Sequence, residues 1–80
     1  MTREYAFAKK VTEEQTEQIL KEGNELEKAR KVEIVNDGMA LDVTVEETDD
    51  FQVVMERLVN IVARLTGGNT FSFTRHIYHD

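Results

Sequence analysis

Lys31-Val32-Glu33-Ile34-Val35-Asn36-Asp37-Gly38-Met39-Ala40-Leu41-Asp42-Val43-Thr44-Val45 has the alternation and the central turn pair of a β-hairpin. Asp37-Gly38 is a favoured pair for the centre of a type I′ hairpin turn, where both residues need positive φ. With these two as the loop, Asn36 pairs with Met39, Ile34 with Leu41 and Val32 with Val43. Val32, Ile34, Leu41 and Val43 then share one face, and Val45 continues the stripe. Glu33, Asp42, Thr44 and Glu46 share the other face. Turn chemistry and face alternation select one register, and a slip of one residue would exchange the faces.

On either side of this hairpin the apolar period changes from two to about 3.6. Upstream, Thr12-Glu13-Glu14-Gln15 has the capping-box spacing. Ile19, Leu20, Gly23 and Leu26, with Thr16, fall on one helical arc. Gly23 either ends a short helix or sits where the backbone approaches the sheet. Helical propensity in Glu25-Leu26-Glu27-Lys28-Ala29 favours continuation, so the first helix is predicted over 12–29. Downstream, Thr48 is the predicted cap of a second helix, with Asp49 and Asp50 in its first turn. Phe51, Val54, Met55, Leu58, Ile61, Val62 and Leu65 form its apolar arc, and Gly67-Gly68 closes it.

Period two returns at both ends of the chain. Residues 3–11 predict a strand with Tyr5 and Phe7 inward and Glu4, Ala6, Ala8 and Lys10 outward. Residues 70–78 predict another, with Phe71, Phe73, Arg75 and Ile77 on one face and Ser72, Thr74, His76 and Tyr78 on the other. Arg75 conflicts with an inward face. Either it lies at the sheet end with its head in water, or a bulge shifts the face.

The resulting order, strand–helix–strand–strand–helix–strand, resembles the ferredoxin-like fold. That resemblance implies a two-layer α+β sandwich: a four-stranded antiparallel sheet, order 4-1-3-2, with two helices on one face. The expected core is Tyr5, Phe7, Ile19, Leu20, Leu26, Val32, Ile34, Leu41, Val43, Val45, the arc of the second helix, Phe71, Phe73 and Ile77. The 80 residues make one expected domain, and a domain of this size is marginal alone. The family's subgroups can be compared by motif. RNA-recognition domains carry aromatics on the exposed face of the third strand; residues 39–45 have none. Metal-chaperone domains need a cysteine pair after the first strand, and Lys9-Lys10-Val11-Thr12 has none. Acylphosphatases need an Arg and a Gly-rich loop there. ACT-type regulatory domains share the architecture, though the loop lacks their Gly.

Composition narrows function mainly by subtraction. There is no Cys, hence no disulfide, thiolate nucleophile or thiolate metal site. No apolar run is long enough for a membrane span, and Met1-Thr2-Arg3-Glu4-Tyr5 lacks a signal peptide's apolar stretch, so a cytoplasmic protein is expected. Net charge is −6. Residues 1–31 balance seven basic with seven acidic residues, whereas residues 32–80 hold three basic and nine acidic ones. No basic surface is available for nucleic acid. The run Glu46-Glu47-Thr48-Asp49-Asp50 lacks the ligand spacing and turn Gly of a calcium loop. Gly67-Gly68 follows a helix C-terminus, where an anion is disfavoured. On the outer side of the second helix, Arg57, Asn60, Arg64 and Val53 form a small candidate partner patch. His76 near Glu4 or Glu46 has the makings of a general base or metal ligand, yet the only other histidine is His79 in the tail. No catalytic residue, cofactor site or metal site is therefore assigned.

The expected function is a small non-enzymatic protein-interaction or regulatory module, self-associating as a homodimer through the uncovered sheet face or an edge strand. The expected interface residues are Ala6, Ala8, Asp42, Thr44, Ser72, Thr74, His76 and Tyr78. The alternatives are a small-ligand sensor of ACT-like architecture and an acidic inhibitor occupying a basic site on a partner.

Overall fold

In the computed structural model, which describes residues 1–78, strands β2 (Lys31–Val35) and β3 (Ala40–Thr44) pair antiparallel with Val32 opposite Val43 and Ile34 opposite Leu41. That is the register read from the turn. Asn36, Asp37 and Gly38 all take positive φ, at 52°, 56° and 87°. The Met39 N–H closes the turn onto Asn36 O at 3.1 Å. His79, read above as tail, lies outside the described residues.

β1 (Thr2–Phe7) lies between β3 and β4 (Phe71–Ile77), and every pairing is antiparallel. The order is β2-β3-β1-β4, which is 4-1-3-2 read from the other edge. Helices α1 (Glu13–Asn24) and α2 (Asp50–Thr66) pack on one face. Ile19 from α1 and Phe51, Val54, Leu58 and Val62 from α2 join Tyr5, Phe7, Val32, Leu41, Val43 and Val45 in one buried cluster. The fold is ferredoxin-like α+β. No helix among the described residues is long and apolar enough to cross a membrane.

Four local expectations need correction. β1 ends at Phe7, not near residue 11. Val11 nonetheless turns inward from the following loop and is fully buried. α1 ends at Asn24, five residues short of the predicted end. The Asn24 amide explains this: its Nδ2 donates to Leu20 O and Val32 O, and its Oδ1 accepts from the Val32 N–H. These bonds tie the helix end to β2, and Leu26 and Ala29 still pack on the core from a turn. Gly23 lies in that last helical turn, where an added Cβ would sit 3.2 Å from Val32 and 3.3 Å from Leu58. It therefore marks close approach to the sheet as well as the nearby helix end.

Thr48 is not the cap of α2. Its hydroxyl donates to Met1 Sδ, and the first N–H groups go instead to backbone carbonyls, Asp50 to Glu47 O and Phe51 to Thr48 O. Asp49 already has helical φ and ψ and makes no capping bond. Finally, Phe73 and Ile77 leave the core: Phe73 is 52% exposed, and Ile77 lies opposite Thr2 on the uncovered face. At the other helix ends the expected chemistry holds. The Thr12–Gln15 capping box is complete, and Gly67 is left-handed while Gly68 N–H reaches Ala63 O at 2.9 Å.

The turn at Gly38 also presses on the loop before α1: a Cβ there would lie 2.8 Å from Val11 O, whereas one at Gly67 meets nothing within 4 Å. Both positions are left-handed. Urea denaturation should therefore place Gly67→Ala about 1 kcal/mol below wild type and Gly38→Ala at least about 2 kcal/mol below it. Equal losses would contradict the close packing of the turn.

Candidate functional site

The uncovered face of the sheet is built by the residues that alternate with the core. Opposite one another across the four strands stand Glu33, Asp42, Glu4 and Arg75. Three carboxylates and one guanidinium thus form a continuous row. Arg75 Nε donates to Glu4 Oε1 at 3.1 Å, and the Glu4 side chain is only 8% exposed. Asp42 Oδ1 is buried without a hydrogen-bond partner. Burial, a hydrogen bond to Glu4 and the charges of Glu4 and Glu33 push the Asp42 carboxyl up to about 6, while Arg75 pulls the other way. Below about pH 6 a proton on Asp42 supplies the donor that two carboxylates otherwise lack. In the next row, the Thr2 and Thr44 hydroxyls lie 2.8 Å apart.

A bulge on β4 decides which residues reach this row. Tyr5 pairs with Phe73 but Glu4 pairs with Arg75, so Thr74 is the extra residue. Beyond it the faces exchange. Arg75 therefore points to the uncovered face and Glu4, which resolves its conflict with the core. His76 moves to the helix side opposite Arg3, and its ring lies 5.1 Å from Phe73 and 6.1 Å from Tyr78.

The eight expected interface residues are thereby divided. Ala6, Asp42, Thr44 and Ser72 are together on the uncovered face, and Thr74 is in the bulge. Ala8 lies past the end of β1, its N–H bonded to Thr70 O. His76 is on the helix side of β4, away from Glu4, and Tyr78 lies past the end of the strand with its ring near that of His76. On the helix layer, Arg64 is engaged by Glu22, which removes one charge from the patch around Asn60.

The sequence reading missed a groove of about 490 Å³ between β1, β4 and the start of α2. Arg3, Asp49, Phe51, Met55, Phe73 and His76 are among its lining residues. The Arg3 guanidinium carbon lies 4.2 Å from the Phe51 ring centre and 5.8 Å from that of Phe73. Such cation–ring contacts hold a guanidinium without hydrogen bonds, and Arg3 Nε is buried with no partner. One signal was available: Arg3 alternates with Tyr5 and Phe7 and so shares their face. The approach of Asp49 carried no such signal, because it depends on how α2 lies across β1.

The loop between β1 and α1 is tied at both sides. Asn69 bonds the Lys9 backbone twice, and Lys10 pairs with Asp37 at 2.9 Å. Among the described residues no group of three or more His, Asp or Glu side chains is placed to hold a metal ion.

The chain matches no protein-family model and no curated protein. Among solved structures it is similar to the solution structure of the yeast copper transporter domain Ccc2a in the apo and Cu(I)-loaded states. The TM-score is 0.67 at 16% sequence identity, covering 95% of this chain and 97% of that one. The likeness is one of fold.

The carboxylate row has a measurable consequence. The Asp42 pKa is raised from 3.8 to about 6 in the folded chain. Folded protein then binds more protons than unfolded protein between those values, so stability falls as pH rises through that window and levels off above it. Asp42→Asn should abolish this slope in chemical denaturation and raise stability at neutral pH by about 1 kcal/mol, a figure discounted for partial exposure. A variant less stable than wild type at neutral pH would sink this account of the row.

Proposed function

We propose that this chain is a small non-enzymatic protein-interaction module that self-associates through β4. The observation that carries the reading is the aromatic series Phe73–His76–Tyr78, two residues on an edge strand and one just past its end, with Phe73 52% and Tyr78 87% exposed. Exposed aromatic side chains are the residues most often found as anchors at protein interfaces. All five central residues of β4 are exposed, and among the described residues no strand lies beside its outer edge.

The other edge is a poorer candidate. β2 has five residues and presents Lys31 and Glu33, ion-paired at 2.5 Å, and charge of this kind blunts an edge. β4 carries no Lys or Pro. The charge of its Arg75 is met by Glu4, so a second copy approaching the edge meets no unpaired cation there. A two-fold axis allows one such strand to pair antiparallel with its own copy. The bulge at Thr74 confines that pairing to the segments on either side.

The uncovered sheet face is less suited to self-association, since a second copy would bring two carboxylate rows together. The row favours a second reading, docking of a basic partner, which is the acidic-inhibitor alternative. Binding of that kind weakens steeply with salt. The Cu(I) of the structural neighbour asks for soft donors; this chain has no cysteine, and copper is not part of the proposal.

Light scattering after size exclusion tests the reading. Wild type should be dimeric at micromolar concentration, and Phe73→Ser with Tyr78→Ser should shift it to monomer with an unchanged far-ultraviolet spectrum. A wild type that stays monomeric, or a double variant that stays dimeric, would remove β4 as the interface.

A further inference from the structure

Arg3 and Asp49 line the same groove, and neither is paired. The five ion pairs of the described residues use Lys10, Arg30, Lys31, Arg64 and Arg75 as cations. Arg3 takes part in none of them, in a chain whose net charge is −6. Its guanidinium is held by the face of Phe51 rather than by a carboxylate. Asp49 makes neither an ion pair nor the capping bond usual at its position. These two opposite charges share one groove without coming within ion-pair distance of each other.

The rest of the lining is mixed: Thr48 and Gln52 are polar, while Met55 and the half-exposed Phe73 supply apolar surface over the buried Phe51. The groove volume of about 490 Å³ falls inside the range of roughly 300–1,000 Å³ usual for small-molecule sites. A simple anion would suit Arg3 but meet Asp49, and a simple cation would face the reverse conflict. A phosphate-rich ligand would carry more negative charge than one guanidinium answers. The complementary ligand has one carboxylate and one ammonium close together, joined to a large apolar body.

We propose that this groove binds a free α-amino acid with a large apolar side chain. Its carboxylate takes the terminal nitrogens of Arg3, its ammonium takes Asp49, and its side chain lies on Met55 and Phe73. His76, opposite Arg3 on β4, closes the rim on the carboxylate side. The site does not rest on self-association: its charged residues are on β1 and at the start of α2.

Amide NMR titration with L-phenylalanine and L-methionine tests the proposal. The expected result is saturable shifts at the start of α2 and in β1 and β4 at millimolar ligand. Hydrocinnamate lacks the ammonium, phenethylamine lacks the carboxylate, and glycine lacks the side chain. Each should bind at least about tenfold more weakly, the first two by one lost charged hydrogen bond and glycine by lost apolar burial. Arg3→Met should lose binding by a similar factor and Arg3→Lys should recover part of it. Because Arg3 also packs on Phe51, Asp49→Asn is the safer variant: it is exposed, and it should weaken amino-acid binding about tenfold while leaving hydrocinnamate unaffected. Absence of saturable shifts, hydrocinnamate binding as tightly as phenylalanine, or an Asp49→Asn chain with wild-type affinity would each overturn the site. A chain that stays monomeric and still binds phenylalanine would uphold this inference and remove only the dimer.

Discussion

A β-sheet has two faces, and the side chains of a strand alternate between them, so the pairing register of each strand decides what is core and what is surface. Everything else in this molecule depends on that constraint. The left-handed turn at residues 36–38 sets β2 against β3. β1 follows in register with β3, placing Tyr5 and Phe7 inward and Glu4 outward. Only β4 breaks step, at Thr74, and that single extra residue sends Arg75 to one face and His76 to the other. Without it Arg75 would press on the aromatic core and Glu4 would be buried beside Asp42 with no cation.

The two unusual sites of the molecule lie on opposite faces of the same few residues of β1. On the uncovered face, Glu4 and Asp42 are adjacent carboxylates whose repulsion is relieved by Arg75 and, below about pH 6, by protonation of Asp42. On the helix face, Arg3 is held against aromatic rings with one nitrogen unsatisfied. Each departs from the rule that buried polar groups find partners. The helix packing, the capping box and the hairpin obey the local rules throughout. The departures are concentrated beside β4, the least covered strand.

Much of this was legible in residue order. The hairpin register followed from Asp37-Gly38 and the alternation of Val32, Ile34, Leu41 and Val43. The apolar arc of α2 followed from its 3.6-residue period. The end of α1 was misread because the residues after Asn24 have good helical propensity, and propensity yields to tertiary hydrogen bonds. Asn24 binds the Val32 backbone eight residues on, a contact that exists only once β2 is beside the helix. Thr48 was misread for a related reason: its hydroxyl meets Met1 at the far end of the chain, and the preceding backbone supplies the helix start instead.

Residue order alone established the sequence of elements, the register of the hairpin and most core residues, because periodicity and turn chemistry act over a few residues. The two layers and the order of strands came from the resemblance of that sequence of elements to the ferredoxin-like fold, and the structure has that order. Only the tertiary structure decided the face of Arg75 and His76, the exposure of Phe73, and the meeting of Arg3 with Asp49. The bulge arises from β4 settling against β1, some seventy residues distant in the chain. A local pattern can announce that Arg75 does not belong in the core. Its partner can be found only when Glu4 lies opposite, and that pairing is a property of the closed sheet.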